Sequence, residues 1–417
     1  MSGQGAGHDG IALELVTQPE RFAAVAAAWD AIWSRTAASV FQNHAWLSAW
    51  WTTLGHAGGS RLHLAIAWRG EAALAILPLA IERRRGARVL AWAGAALSDY
   101  CDALVADGPD GERALAQLWA RTREEGGFDL IDLKQVRPDA KVAALLAGTR
   151  TGPGALSARE RSELSLQVAN EGFRNGEAYF RSLSKKARNN HTRGKRILSE
   201  SGNLTSRVIE GGPEAGPALE RLFALKARWV EDTRSDWPLL AAGPTGLLGL
   251  GEAAAVLGRL AIFVLEIDGA VIAASFNILD GTRLLAYVTA YDPVFERASP
   301  GTILMVDYAI WAFDRGLREV DYLRGEEAFK LRFANARTQL PGYLGARTVR
   351  GRALLALHAA KGRIERVRGA TTGRGEGRGL RPAGALLRAL GLGVGSSAAG
   401  QEGPPPALPI ADVQGSL

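Results

Sequence analysis

The apolar positions of this chain fall into two successive passages of the same kind. Phe22, Val25, Ala26, Trp29 and Trp33 recur at three- and four-residue spacing, which predicts a helix over 21–34. A second helix is predicted in FQNHAWLSAWWTTLG, 41–55, with Asn43 as its N-cap before Ala45. RLHLAIAWRG and AALAILPLAIERRRG then read as two strands joined by a tight turn at Arg69-Gly70. Leu115 to Arg123 is helical in pattern, and FDLIDLKQV reads as a buried strand. TGPGALSARERS, rich in Gly, Ser and charge, is a connector.

The pattern then restarts. Residues 177–201 predict one long basic helix and 217–230 a second helix. In 260–292, two Asp-Gly pairs, Asp268-Gly269 and Asp280-Gly281, separate three apolar strands. Asp-Gly between such strands signals hairpins, because both turn positions take positive φ, so this passage predicts a three-stranded antiparallel meander. Thr302 to Arg315 predicts a helix closed by Gly316, and EVDYL the last strand. Each half thus reads as helices, strand hairpin, helix, strand, with no residue-level repeat. The expected domains are 1–155 and 156–350. Beyond 351, Leu354 to Val367 predicts an amphipathic helix, and the Gly-, Pro- and Ser-rich remainder to 417 predicts disorder.

Composition narrows the classes. Of 417 residues, 47% are hydrophobic and 22% charged, ordinary values for a globular protein. The single cysteine, Cys101, rules out a disulfide framework and a cysteine zinc cluster, and His spacing offers no metal site. The start MSGQGAGHDG has neither a basic nor an apolar leader segment, and no uncharged apolar run reaches the roughly 18 to 20 residues of a membrane helix. The expectation is a cytoplasmic protein. The net charge of +7 favours anionic partners, although Arg-, Ala- and Gly-rich composition raises it without any function. Gly249-x-Gly251-x-x-Ala254 follows a loop rather than a strand and is not a dinucleotide fingerprint.

The chemistry concentrates where the meander meets the next helix. Arg297, Ser299, Gly301 and Thr302 surround Pro300 at the predicted helix start. A helix N-terminus offers free amides and partial positive charge, glycine allows close approach, and the hydroxyls and Arg297 add donors. These four residues are candidates to cradle a pyrophosphate; simple capping uses the same residues. In 180–198, Arg181, Lys185, Lys186, Arg188, Arg193, Lys195 and Arg196 occur with no acid between them. Arg188 and Arg193 are candidates to clamp phosphates of coenzyme A, a sugar nucleotide or tRNA. The same helix suits an anionic membrane surface, or plain solvation. Asp99 is placed at a cleft between the halves. Trp229 is assigned to packing or to stacking on a sugar.

The two stretches YDPVFERASPGTIL and DYLRGEEAFKLRF resemble the branch of the GNAT superfamily called BioF2-like or CelD-like acetyltransferases, relatives of the FemAB aminoacyltransferases. The matching residues are Tyr291, Asp292, Pro293, Ser299, Pro300, Gly301, Asp321, Gly325, Glu326, Glu327, Lys330 and Phe333; Glu326, Phe329 and Phe333 replace the branch's usual Asp, Tyr and Trp. FQNHAWLSAWW resembles the branch's N-terminal segment. The resemblance implies an α/β (α+β) fold of tandem GNAT-like domains with mixed, largely antiparallel sheets. It implies an acyltransferase, in the first instance an N-acetyltransferase, with no permanently bound cofactor. Acetyl-CoA or another acyl-CoA is the cosubstrate, and the acceptor is an amine or hydroxyl on a small molecule, sugar or lipid-linked compound, as in polysaccharide or cell-envelope assembly. In that setting Asp321 and Glu326 are candidate general bases, with Phe329 expected to desolvate them, and Lys330 a phosphate or carboxylate partner. Tyr291 would line the substrate site. Alternatives are a tRNA-dependent aminoacyltransferase and a non-catalytic accessory protein of exopolysaccharide synthesis.

Overall fold

The computed structural model describes residues 10–357 and 360. Both halves combine helices with runs of strands, and each half builds a mixed sheet in which one parallel pair interrupts antiparallel neighbours. The C-terminal sheet has seven strands, in the order Leu204–Ile209, Leu260–Ile267, Ala270–Asp280, Arg283–Tyr291, Glu319–Arg324, Glu163–Ala169, Ala336–Leu340. Arg283–Tyr291 and Glu319–Arg324 are its parallel pair, joined by the crossover helix Pro300–Asp314.

The predicted meander is present with one change of turn. Asp268 and Gly269 both take positive φ (48° and 81°), as Asp-Gly turns do. In the second hairpin Asp280 pairs with Arg283 as the last strand residue, so the turn is Gly281-Thr282. Asp280 is instead a buried anchor. Its carboxylate pairs with Arg259 and Arg283 and accepts from the Val40 backbone N–H of the other half.

In the N-terminal half the two predicted strands each bend and change sheet. The first runs as Arg61–Leu62 and Leu64–Arg69, the second as Ala72–Leu77 and Leu79–Arg84, with the break at Pro78, which has no N–H to donate. The inner pieces join Ala12–Val16 and Leu104–Val105 in a four-stranded sheet. The outer pieces join Ala87–Trp92, Leu130–Leu133, Tyr343–Ala346 and Leu156–Ala158 in a six-stranded one. Ala87–Trp92 and Leu130–Leu133 are parallel, with the helix Pro109–Glu125 between them in sequence.

The chain returns to its first half at the end: Glu163–Ala169, just after the connector, takes its place in the C-terminal sheet, whereas Tyr343–Ala346, from the far end of the chain, joins the N-terminal one between Leu130–Leu133 and Leu156–Ala158. Residues 349–357 continue as a helix whose Leu354 and Leu355 pack on Ala87, Val89 and Leu130. The rest of the predicted tail helix, and the tail to 417, lie outside the described residues.

One hydrophobic core spans both halves, with Trp29, Phe41 and Trp46 packed together with Leu222, Phe276 and Leu285. The predicted basic helix is two helices, Gly176–Ser182 and Lys185–Ser199. The break comes because Ser184 caps the second by accepting from Ala187 N–H. No described helix is long and apolar enough to cross a membrane.

Candidate functional site

The parallel strands of the C-terminal sheet come apart. Their pairing ends at Leu285 opposite Asp321. Two irregularities sit just past that point. On Arg283–Tyr291, Tyr287 is skipped in the register with Ala270–Asp280. On Glu319–Arg324, Tyr322 and Leu323 together face the single residue Leu166 of Glu163–Ala169, and Leu323 takes φ 59°. A bulge adds local twist, and a leucine in the left-handed region is strained and must be held by its surroundings. The strands therefore diverge toward their C-terminal ends, leaving a split between the segments 287–291 and 322–324.

Asp321 is the holding group. It is fully buried, and its carboxylate accepts from Tyr100 Oη at 2.6 Å, Ser165 Oγ at 2.9 Å and the Leu323 backbone N–H at 2.8 Å. Gln167 Nε2 donates to Ser165 at 2.8 Å, extending the network. Burial pushes the Asp321 carboxyl up, against the three donors that lower it. Next along the strand, Arg324 donates to Asp99 at 2.5 Å and Glu163 at 3.0 Å. Asp99 thus lies at the contact between the halves, as a partner of Arg324. Tyr287, beside the split, donates to the Leu97 carbonyl at 2.9 Å. The loop 97–100 of the N-terminal half is therefore tied to both diverging strands.

The segment after the strand behaves differently from expectation. Glu326 is exposed and Phe329 is 42% exposed, so Phe329 does not desolvate Glu326. Lys330 turns inward, donating to the Arg324 carbonyl at 2.6 Å and pairing with Glu327 at 3.0 Å, while its neighbours Phe329 and Leu331 face solvent. Gly325, at φ 119°, is where the chain leaves the strand, and a side chain there would strike the Glu327 carboxylate.

The crossover helix starts at the same end of the sheet as the split. Ser299, at φ 55°, leads into Pro300–Asp314, and its carbonyl accepts from Thr302 and Ile303. No acid lies in the first turn. A Cβ at Gly301 would come 3.3 Å from the Tyr291 ring, so glycine lets that ring lie along the helix start. Arg297 and Ser299 are exposed, and Thr302 and Tyr291 half-buried. Burial raises the Tyr291 phenol. The corresponding crossover helix of the N-terminal half, Pro109–Glu125, opens with Asp110 and Glu112. Its own carboxylates occupy its positive end. Of the two crossover helices, the one in the C-terminal half is the one whose first turn carries no acid.

The helix Lys185–Ser199 lies against this region. A Cβ at Gly194 would fall 2.5 Å from the Ala298 carbonyl, and His191 and Lys195 both reach Asp307, at 2.8 and 2.9 Å. Arg193 is exposed beside this contact. Arg188 is not: its guanidinium donates to the Arg181 carbonyl at 2.6 Å and to that of Leu183, closing the preceding helix. Trp229 carries Lys226 on its ring face at 3.6 Å, leaving that face taken. Cys101 is buried, and burial drives its thiol well up, so it is inert as a nucleophile. No group of residues suited to a metal ion occurs among the described residues.

Sequence reasoning missed Ser165, Gln167 and Lys226. The first two come from a strand 156 residues away in sequence from its partner, and nothing local marks them. Lys226 did leave a signal: it falls four residues after Leu222 and three after Phe223, on the helix's apolar stripe.

The fold is of the GNAT type, built twice, and the split and helix start lie in the half that also matches by sequence. Residues 185–331 match the model of an acetyltransferase (GNAT) domain. Among solved structures, FemX is 10% identical, with 83% of this chain and 99% of that one covered at a TM-score of 0.53. The C-terminal domain of a protein assigned as a lysylphosphatidylglycerol synthetase, from Agrobacterium fabrum, is 15% identical, covering 81% and 96% at 0.51. At such identities these likenesses are of fold alone. No curated protein matches the chain by sequence.

Proposed function

We propose that this protein is an acyl-CoA-dependent acyltransferase, in the first instance an N-acetyltransferase of the BioF2-like or CelD-like kind. It would move an acyl group to an amine or hydroxyl on a small-molecule, sugar or lipid-linked acceptor. The observation that carries the reading is the pairing of two features in one half. Parallel strands part beyond Leu285 and Asp321, and an acid-free helix start at Pro300 opens at the same end. A split strand pair exposes backbone amides that can stabilise a developing oxyanion, and the helix start can hold the pyrophosphate of the donor.

In this reading Gly301, Thr302 and Ser299 meet the pyrophosphate, with Arg297 and Arg193 adding charge from the two flanking elements. The thioester enters the split beside Tyr291. Asp321 is enclosed by three donors, so its role is to hold the bulge at Leu323 rather than to take the acceptor's proton. Glu326, exposed at the mouth, is the carboxylate free to approach an acceptor.

A second reading, transfer from an aminoacyl-tRNA, is favoured by the exposed Lys185, Lys186, Arg193 and Arg196 on one helix. Calorimetric titration with acetyl-CoA, longer acyl-CoAs and free CoA tests the first reading. Saturable binding supports it. Absence of binding, together with salt-sensitive retention of tRNA, would replace it with the second.

A further inference from the structure

The helix Ala215–Thr233 packs on Arg283–Tyr291, one wall of the split. Lys226 leaves this helix on its apolar stripe and is half-buried, with its ammonium 3.6 Å from the centre of the Trp229 ring. Glu327 and Lys330, which follow the other wall, act on it electrostatically, the first favouring and the second opposing its charge. Lys226 therefore sits on a helix packed against one wall, within electrostatic reach of the segment that follows the other. The other described lysines are placed differently. Lys134, Lys141, Lys195 and Lys330 are held in ion pairs with Asp132, Asp107, Asp307 and Glu327, and Lys185 and Lys186 are exposed. No ion pair to Lys226 occurs among the described residues. Burial pushes its amine down to about 8. A substantial fraction is then neutral near physiological pH, whereas an ordinary lysine, near 10.4, is almost wholly protonated.

We propose that Lys226 is itself an acyl acceptor, modified by the protein's own acyl-CoA at the mouth of the split. The inference rests on the reading of the split as the thioester site. The neutral Nζ adds to the thioester carbonyl carbon. The C–S bond breaks, its electron pair leaves on the CoA sulfur, and the proton released by the nitrogen restores the thiol. The product is an amide at Lys226 and free CoA. The amide carries no charge, so the cation–π contact with Trp229 is lost. Its added acyl group fills the side from which an acceptor would approach, so acylation of Lys226 limits turnover.

The test uses the full chain with acetyl-CoA alone. Binding is measured by calorimetry, and acetylated peptides are mapped by mass spectrometry over a pH series from 6.5 to 9.5. The expected result is acetylation of Lys226 at least about tenfold faster than of Lys185 and Lys186, given its larger neutral fraction. The rate should rise through pH 8 and then level off. Gly301→Asp should lose the selectivity, and Lys226→Arg should leave no fast site while still binding acetyl-CoA. If the wild-type chain binds acetyl-CoA and Lys226 reacts no faster than the exposed lysines, the inference is overturned and the functional reading stands. If no acetyl-CoA binds, both fall.

Discussion

The Tyr100 hydroxyl donates to the Asp321 carboxylate at 2.6 Å across 221 positions of sequence. One residue belongs to the N-terminal half and the other to the strand bounding the split. Both are buried, and the Ser165 hydroxyl lies 2.6 Å from Tyr100 and 2.9 Å from Asp321. The bond fixes the bulge at Leu323 and ties the two halves together at the point where the sheet opens.

Tyr100→Phe removes one of three donors from a fully enclosed carboxylate. The expected cost is about 1–3 kcal/mol, because the remaining group stays buried and short of a partner. Denaturant titration of the variant checks it. Asp321 carries a raised pKa in the folded state, so its contribution to stability is full below the ordinary aspartate value and is lost as pH rises through the folded value. Losing the Tyr100 donor raises the folded value further. The deficit of Tyr100→Phe should therefore be smaller in acid than at neutral pH. An equal deficit at both would show that Asp321 does not titrate with folding.

Arg324 joins Asp99 and Glu163, each with about one sixth of its side chain exposed. Arg324→Met leaves two carboxylates together without their cation. The expected destabilisation is about 3 to 5 kcal/mol, the range for breaking a buried pair from one side. The triple change with Asp99→Asn and Glu163→Gln should recover most of it. Chemical denaturation of the two variants decides; no recovery would mean that the guanidinium matters for packing rather than charge.

Gly301→Ala and Gly301→Asp separate space from charge at the helix start. The alanine methyl meets the Tyr291 ring at 3.3 Å, which asks for a shift of a few tenths of an ångström. Acetyl-CoA affinity should fall only a few-fold. The aspartate places a carboxylate where the pyrophosphate would sit, and affinity should fall at least about tenfold, or 1.4 kcal/mol. Equal effects of the two variants would point to sterics and away from an anion cradle.

His63 lies at the bend between Arg61–Leu62 and Leu64–Arg69, is 3% exposed, and its Nε2 has no hydrogen-bond partner among the described residues. Burial, aided by Arg61, holds its pKa down to about 4. Between about 6.5 and 4 the unfolded chain therefore binds the proton and the folded chain does not, so stability falls as pH falls through that window. The full loss is on the order of 3 kcal/mol. Melting temperatures of wild type and His63→Leu, measured from pH 7.5 to 4, should shift relative to one another in the variant's favour as pH falls, because only the wild type carries this liability.

Much of this architecture was legible in the chain because it rests on short-range rules. Apolar periodicity and the turn residues marked the meander of 260–292 and the hairpin near Arg69-Gly70, whose turn is Gly70-Glu71, one residue further on. Side-chain capping at Asn43 followed from local chemistry too. The break at Ser184 was also written locally, but the run of basic residues across it masked the cap. Ser299 to Thr302 were recognisable as a helix start for the same reason: the amides they present belong to the backbone next to them. What the residues there could not state is that the matching helix of the other half, opening with Asp110 and Glu112, forgoes the same use.

The tertiary structure alone decided which charges are free and which are spent. Arg188 and Lys330 look available in sequence, yet each satisfies backbone carbonyls nearby. Asp99 reads as cleft-facing and is bound to Arg324, 225 positions away. The pairing of Glu163–Ala169 with Glu319–Arg324, and with it the placement of Ser165 against Asp321, joins remote segments, as does the pairing of Tyr343–Ala346 with Leu130–Leu133. Hydrophobic pattern fixes which face of a strand is buried, but the neighbour it pairs with is chosen by the packing of the whole chain, where no local rule reaches.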